Sequence, residues 1–142
     1  MRCFVLAFAL FASACAQEQP PPSDALSGLS PGIFVGRERD GLCISRIGAA
    51  QRGGVIAYGA GDSNCSASGK IERVDGQWAL VPDGEGACQV SLTIRGATVS
   101  LGAATAACAY YCAPDVTFDG REFTRIDSTA TPPKDLAGDP LC

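Results

Sequence analysis

The sequence predicts an all-β fold stapled by disulfides, either a small antiparallel β-barrel or a two-layer sandwich of hairpins. Three observations carry this expectation. Turn-forming pairs rich in glycine recur about every ten residues after Gly32, and no stretch keeps a helical period. The segment 88–101 joins a strictly alternating strand to a turn of hairpin type. Finally, six of the eight cysteines fall in this same region, at 43, 65, 88, 108, 112 and 142. Their even number and density point to three disulfides in an oxidising compartment.

The elements follow in chain order. Residues 33–35 form a short first strand, and residues 42–47 and 55–58 form two more around a turn at Gln51-Arg52-Gly53-Gly54. Asp75-Gly76 is a type I′ hairpin signal. It places Ile71 opposite Leu80 and Arg73 opposite Trp78, the second pair being suited to a cation–π contact. In the next strand Cys88, Val90, Leu92 and Ile94 point one way and Gln89, Ser91, Thr93 and Arg95 the other. Gly96-Ala97 turns it back, with glycine at the first central position as type II′ prefers. Ile94 then faces Val99, Leu92 faces Leu101, and Thr93 faces Ser100. The alanine-rich segment 102–113 is the one place for a helical turn, and Asp119-Gly120 marks a third hairpin setting Val116 opposite Phe123. The total is roughly seven to nine short strands, joined mostly by hairpins. Residues 131–142 are a loop held at its end by Cys142. That cysteine is expected to close onto Cys43 in the first strands, enclosing about 100 residues and contributing roughly 4–5 kcal/mol in the chain-entropy model.

Ahead of this domain, residues 32–142, lies a leader. Arg2 precedes an apolar run at 3–11, and the small residues Ala12-Ser13-Ala14-Cys15-Ala16 follow, the layout of a secretory signal. The run is too short for the ~20 apolar residues that span a bilayer as a helix. Two processing routes fit. Ala14-x-Ala16 suits cleavage that frees a soluble chain from Gln17. Ala12-Ser13-Ala14-Cys15 resembles a bacterial lipobox, with Ala12 where leucine is usual, closing the signal segment 1–15 and making Cys15 the lipidated first residue of the mature chain. The proline-rich segment 16–31, with Pro20, Pro21 and Pro22 in a row, favours lipidation: it is a semi-rigid spacer of the kind a membrane tether needs. By analogy with bacterial sorting, Ala16 after the cysteine directs such a protein to the outer membrane. The expectation is thus an exported protein, anchored by lipid on the periplasmic side, or soluble if cut after Ala16.

Charge and composition exclude several functions. The chain carries 11 Lys+Arg against 15 Asp+Glu, and its densest basic stretch, Arg37-Glu38-Arg39, is already interrupted by a carboxylate. Nucleic acid, which demands clustered cations, is not an expected partner. An acidic surface suits a basic protein, although it serves solubility first. The chain has no histidine, which removes Ser-His-Asp and Cys-His catalysis and every zinc site with an imidazole ligand. There is no phosphate-binding glycine loop.

The most reactive-looking stretch is Cys108-Ala109-Tyr110-Tyr111-Cys112. A four-cysteine zinc site would show two close pairs, and this is the one close pair. A thioredoxin-like site would be Cys-x-x-Cys opening a helix in a βαβ unit. The two thiols instead read as staples aimed at neighbouring strands. Tyr110 and Tyr111 are then either one packed and one covering ring, or an aromatic patch for a partner. Asp83 with Glu85 and Asp119 with Glu122 are the candidate carboxylate pairs of a hydrolase, but each sits in an Asp-Gly turn context that explains it without catalysis. Asp62-Ser63-Asn64 offers little to calcium. Trp78 reads as a core plug capped by Arg73.

The segment AACAYYCAPDVTFDGREF, residues 106–123, resembles a pattern of small exported bacterial proteins in which a Cys-x-x-x-Cys loop precedes a Phe-Asp-Gly hairpin. The closing Asp-Leu-Ala-Gly-Asp-Pro-Leu-Cys resembles the tail of uncharacterised lipoproteins of that kind. A stapled β-barrel on a lipid tether is also similar to the periplasmic lysozyme inhibitors. Their Ser-Gly-x-x-Tyr signature is absent, since Ser68-Gly69-Lys70-Ile71-Glu72 lacks the tyrosine, so the similarity is one of fold. The missing histidine, the disulfide density, the tether and the acidic surface lead to the expectation of a non-enzymatic envelope module, without cofactor or metal, that binds a protein or cell-wall partner. The other expectations are a purely structural envelope protein and a carboxylate-dependent hydrolase.

Overall fold

In the computed structural model, which describes residues 29–84, 86–126 and 129–142, eight strands form a closed antiparallel barrel. They are β1 (Gly32–Val35), β2 (Gly41–Ile47), β3 (Ala50–Tyr58), β4 (Asn64–Val74), β5 (Gln77–Pro82), β6 (Val90–Arg95), β7 (Thr98–Ala104) and β8 (Glu122–Arg125). Each strand pairs with the next, and β1 pairs with β8, Phe34 opposite Arg125, to close the ring. Closure leaves no free sheet edge, which decides for the barrel over the sandwich. The expected signal, lipobox and all of the tether before Leu29 lie outside the described residues.

Alternation builds the interior. Leu42 and Ile44, Val55, Ala67 and Ile71, Leu80, Val90 and Leu92, Val99 and Leu101, and Phe123 point inward from successive strands and are buried. The lumen is therefore a packed core and not a channel. Leu29, placed by the sequence in the tether, is 2 % exposed and belongs to this core. Packing thus begins three positions before the expected boundary.

Two hairpins have the expected register. Ile71 pairs with Leu80 and Arg73 with Trp78, whose ring lies 4.5 Å beneath the guanidinium. Ile94 pairs with Val99 and Leu92 with Leu101. Two expectations are corrected. Gln51-Arg52-Gly53-Gly54 is not a turn: the chain reverses at Gly48-Ala49, and residues 51–54 lie inside β3. Gly54 is there because the tail crosses the sheet at this point; a Cβ would collide with Leu141. Asp119-Gly120 is a turn, but not a hairpin between two strands. Phe123 pairs with Val99 of β7, while Val116 and Phe118 dip into the barrel mouth and are buried. Burying two large side chains there outweighs extending a ladder.

All six cysteines of the domain are bonded: Cys43–Cys142, Cys65–Cys112 and Cys88–Cys108. The first is the bridge expected from the sequence. The three are nested, with sequence separations of 99, 47 and 20. Three disulfides fit an oxidising, exported compartment. Among the described residues no helix is long and apolar enough to cross a membrane.

Outside the barrel, the tail straps β2 and β3. Leu141 packs with Cys43 and Ile56 in a second small core. Its N–H donates to the Pro133 carbonyl at 3.0 Å, and Asp135 and Asp139 close the turn between them.

Candidate binding surface

The two ends of the barrel are built differently. At one end, called here the turn end, β2–β3, β4–β5 and β6–β7 are each joined by two residues. At the other, the loop end, the connections are longer, and the one between β7 and β8 carries a 3-10 helix, Ala106–Tyr111.

That helix is fixed from both sides. Cys108 is buried and bridged to Cys88 before β6; Cys112 is bridged to Cys65 near the start of β4. Hydrogen bonds repeat the same two attachments. The Thr105 N–H donates to the Gln89 carbonyl at 3.0 Å, and the Ala113 N–H donates to the Asn64 carbonyl at 2.8 Å. The Thr105 hydroxyl donates to the Ala87 carbonyl at 2.7 Å. The two thiols of CAYYC therefore reach separate partners, one in β4 and one just before β6, and not each other.

This clamp separates the two tyrosines. Tyr111 packs against the core, and its hydroxyl donates to the Asp83 carbonyl at 3.2 Å. Tyr110 is 87 % exposed, with its ring edge-on to Tyr111 at 5.2 Å. One ring packs and its neighbour lies exposed over it, the first of the two arrangements expected for the pair.

An ion pair that the sequence hid holds the rest of this end. Asp40 is 5 % exposed. One carboxylate oxygen accepts from the Tyr58 N–H at 2.7 Å and the other from the Arg121 guanidinium at 3.0 Å. It thereby joins the β1–β2 loop, the end of β3 and the segment entering β8. Asp40-Gly41 looks like another Asp-Gly turn in the sequence; nothing local marks its carboxylate as buried. Beside it, Arg39 lies 4.0 Å over the Tyr58 ring and pairs with Asp62 at 3.0 Å.

Asp83 pairs with Arg52, and Glu85 lies outside the described residues. Asp119 is in an exposed turn, and Glu122 accepts from the Ser100 hydroxyl at 3.3 Å. Asp62, the first residue of the calcium candidate, is taken up by Arg39. Among the described residues no group of three His, Cys, Asp or Glu side chains is placed to hold a metal. Trp78 is half-buried against the core, as expected for a plug. Cys15 is outside the described residues.

No family model, no curated protein and no solved structure matches this chain.

Proposed function

We propose that this chain is a non-enzymatic, exported cell-envelope lipoprotein whose barrel is a binding or inhibitor-like module for a protein or cell-wall partner. The observation that carries the reading is Tyr110, almost fully exposed between two disulfide-bonded cysteines, Cys108 within the helix and Cys112 just past its end. Binding hot spots favour aromatic residues held in place before the partner arrives, because little side-chain or loop freedom is then lost. The loops of the same end carry the carboxylates of Glu38, Asp115 and Asp119, which favours a cationic protein over an anionic one. Lipidation at Cys15 and a spacer that ends before the buried Leu29 complete the reading, with the outer membrane as the site of anchoring.

The test is retention on immobilised lysozyme and cosedimentation with peptidoglycan sacculi, both at low salt. The intact chain is retained by one of them, and Tyr110→Ala abolishes retention without lowering the melting temperature. Absence of retention on both would sink the proposal. Mass spectrometry of the mature chain decides the anchor: an acylated N-terminus at Cys15 is the expected product.

A further inference from the structure

Strands β2, β4, β6 and β8 all run toward the turn end, and each finishes on an arginine at its last or penultimate position: Arg46, Arg73, Arg95 and Arg125. All four are exposed. Strands running the other way end on Val35, Tyr58, Pro82 and Ala104, which are uncharged. The described carboxylates at this rim are Glu72 and Asp75.

Arg46 and Arg95 make no hydrogen bond or ion pair among the described residues. Arg125 donates to the Ser30 and Pro31 carbonyls and lies over the Phe34 ring, all uncharged groups. Arg73 covers Trp78 and donates to the Gly76 carbonyl at 2.7 Å. Inside this basic rim the tip of the β2–β3 hairpin shows an apolar side chain, Ile47, 66 % exposed and followed by Gly48 and Ala49. An apolar tip ringed by cations is the composition that interfacial membrane binding uses.

The chain's own path adds a second argument. Leu29 is buried in the core and its carbonyl accepts from the Gln51 side chain at 2.6 Å, while Ser30 and Pro31 are held by Arg125. The first 28 residues therefore join the barrel at the arginine rim, not at the helix-bearing end. A tether leaving from this end holds the same rim against whatever surface the tether reaches.

We propose that the turn end is a docking face for an anionic lipid bilayer. Arg46, Arg73, Arg95 and Arg125 meet the headgroups, Ile47 enters the interface, and Tyr110 points away from the membrane. The tethering read in residues 16–31 supplies the local membrane, but the face itself is tested without it.

The experiment uses the full chain with Cys15→Ser, which cannot be acylated, and phosphatidylcholine vesicles with or without phosphatidylglycerol. The chain is expected to sediment with the anionic vesicles alone and to be released by salt. Each of Arg46→Gln and Arg95→Gln should weaken binding about fivefold, as one cation near an anionic surface contributes. Trp78, the only tryptophan, lies at this end and should be quenched by brominated lipid. Equal binding to neutral vesicles, no binding at low salt, or an equal loss from Arg37→Gln at the loop end overturns the proposal. Displacement by millimolar inorganic phosphate also overturns it, by making the rim a site for small anions. Lysozyme or sacculus binding at Tyr110 is unaffected by any of these outcomes, so the two readings fail separately.

Discussion

At the turn end, two-residue connections leave nothing to hold in place: Gly48-Ala49, Asp75-Gly76 and Gly96-Ala97 reverse the chain, and Leu29 fills the mouth. At the loop end, the connection from β7 to β8 is long and would be free to move. It is tied down by two disulfides, a buried ion pair and the insertion of Val116 and Phe118. Local chain geometry keeps the first end in shape; distant partners keep the second. Ordering a long segment costs conformational entropy, roughly 1–2 kcal/mol per residue for the backbone alone. Cross-links that confine the unfolded chain offset part of that cost.

The contrast can be broken from either side. Asp40→Ala should have the largest effect, about 3–5 kcal/mol, because it leaves Arg121, whose side chain is 11 % exposed, without its partner. Denaturant midpoints with an unchanged slope would read it; a loss below about 1 kcal/mol would mean that the loop end does not depend on this pair. Leu29→Ala comes next at about 2 kcal/mol, the low end for a buried leucine, since a segment near the edge of the fold can open locally instead. Hydrogen exchange should then rise in β1 and at Gln51 and not around Cys108; a uniform rise would deny the two ends separate stabilities. Gly76→Ala should cost about 1 kcal/mol. Gly76 has φ +79° and a Cβ there would touch nothing, so the cost is that of left-handed backbone alone. Asp75→Ala should cost less, about 0.5 kcal/mol, because Asp75 at φ +50° already carries a Cβ in left-handed backbone and only its local hydrogen-bonding preference is lost. Smallest is Tyr110→Ala, below about 0.5 kcal/mol, as an exposed side chain away from the packing. A melting temperature lowered by several degrees would show that Tyr110 supports the fold and is not on display.

Legibility in the sequence followed the same division. The turn end could be read residue by residue. A two-residue turn fixes the register of both strands, so Arg73–Trp78 and Ile94–Val99 follow from Asp75-Gly76 and Gly96-Ala97. What was misread there, Gly53-Gly54 as a turn, carries glycines for another reason: Gly54 lies under Leu141, and a Cβ on Gly53 would meet Ile71. A glycine required by a remote segment looks the same as a glycine required by a turn. Strand β4 was legible only in its last residues. Its inward positions before Ile71 are Cys65, Ala67 and Gly69, too small to show a hydrophobic alternation. The loop end depended on contacts distant in the chain. That Cys108 and Cys112 diverge to separate partners was foreseeable from their spacing; the burial of Asp40 and the role of Val116 and Phe118 as a plug were not, because each depends on partners tens of residues away.

The nesting of the three bridges bears on how the protein is made. An exported chain emerges N-terminus first, so its thiols meet the oxidant in the order 43, 65, 88, 108, 112, 142. Joining each thiol to the next arrival would give 43 with 65, 88 with 108 and 112 with 142. Only Cys88–Cys108 is native among these. Cys65 must wait for Cys112, and Cys43 must wait until Cys142 has crossed, or early pairings must be undone by thiol–disulfide exchange. Without such exchange, maturation proceeds from the inside of the chain outward. A cell that oxidises thiols quickly but reshuffles them slowly would accumulate this protein in a mispaired form.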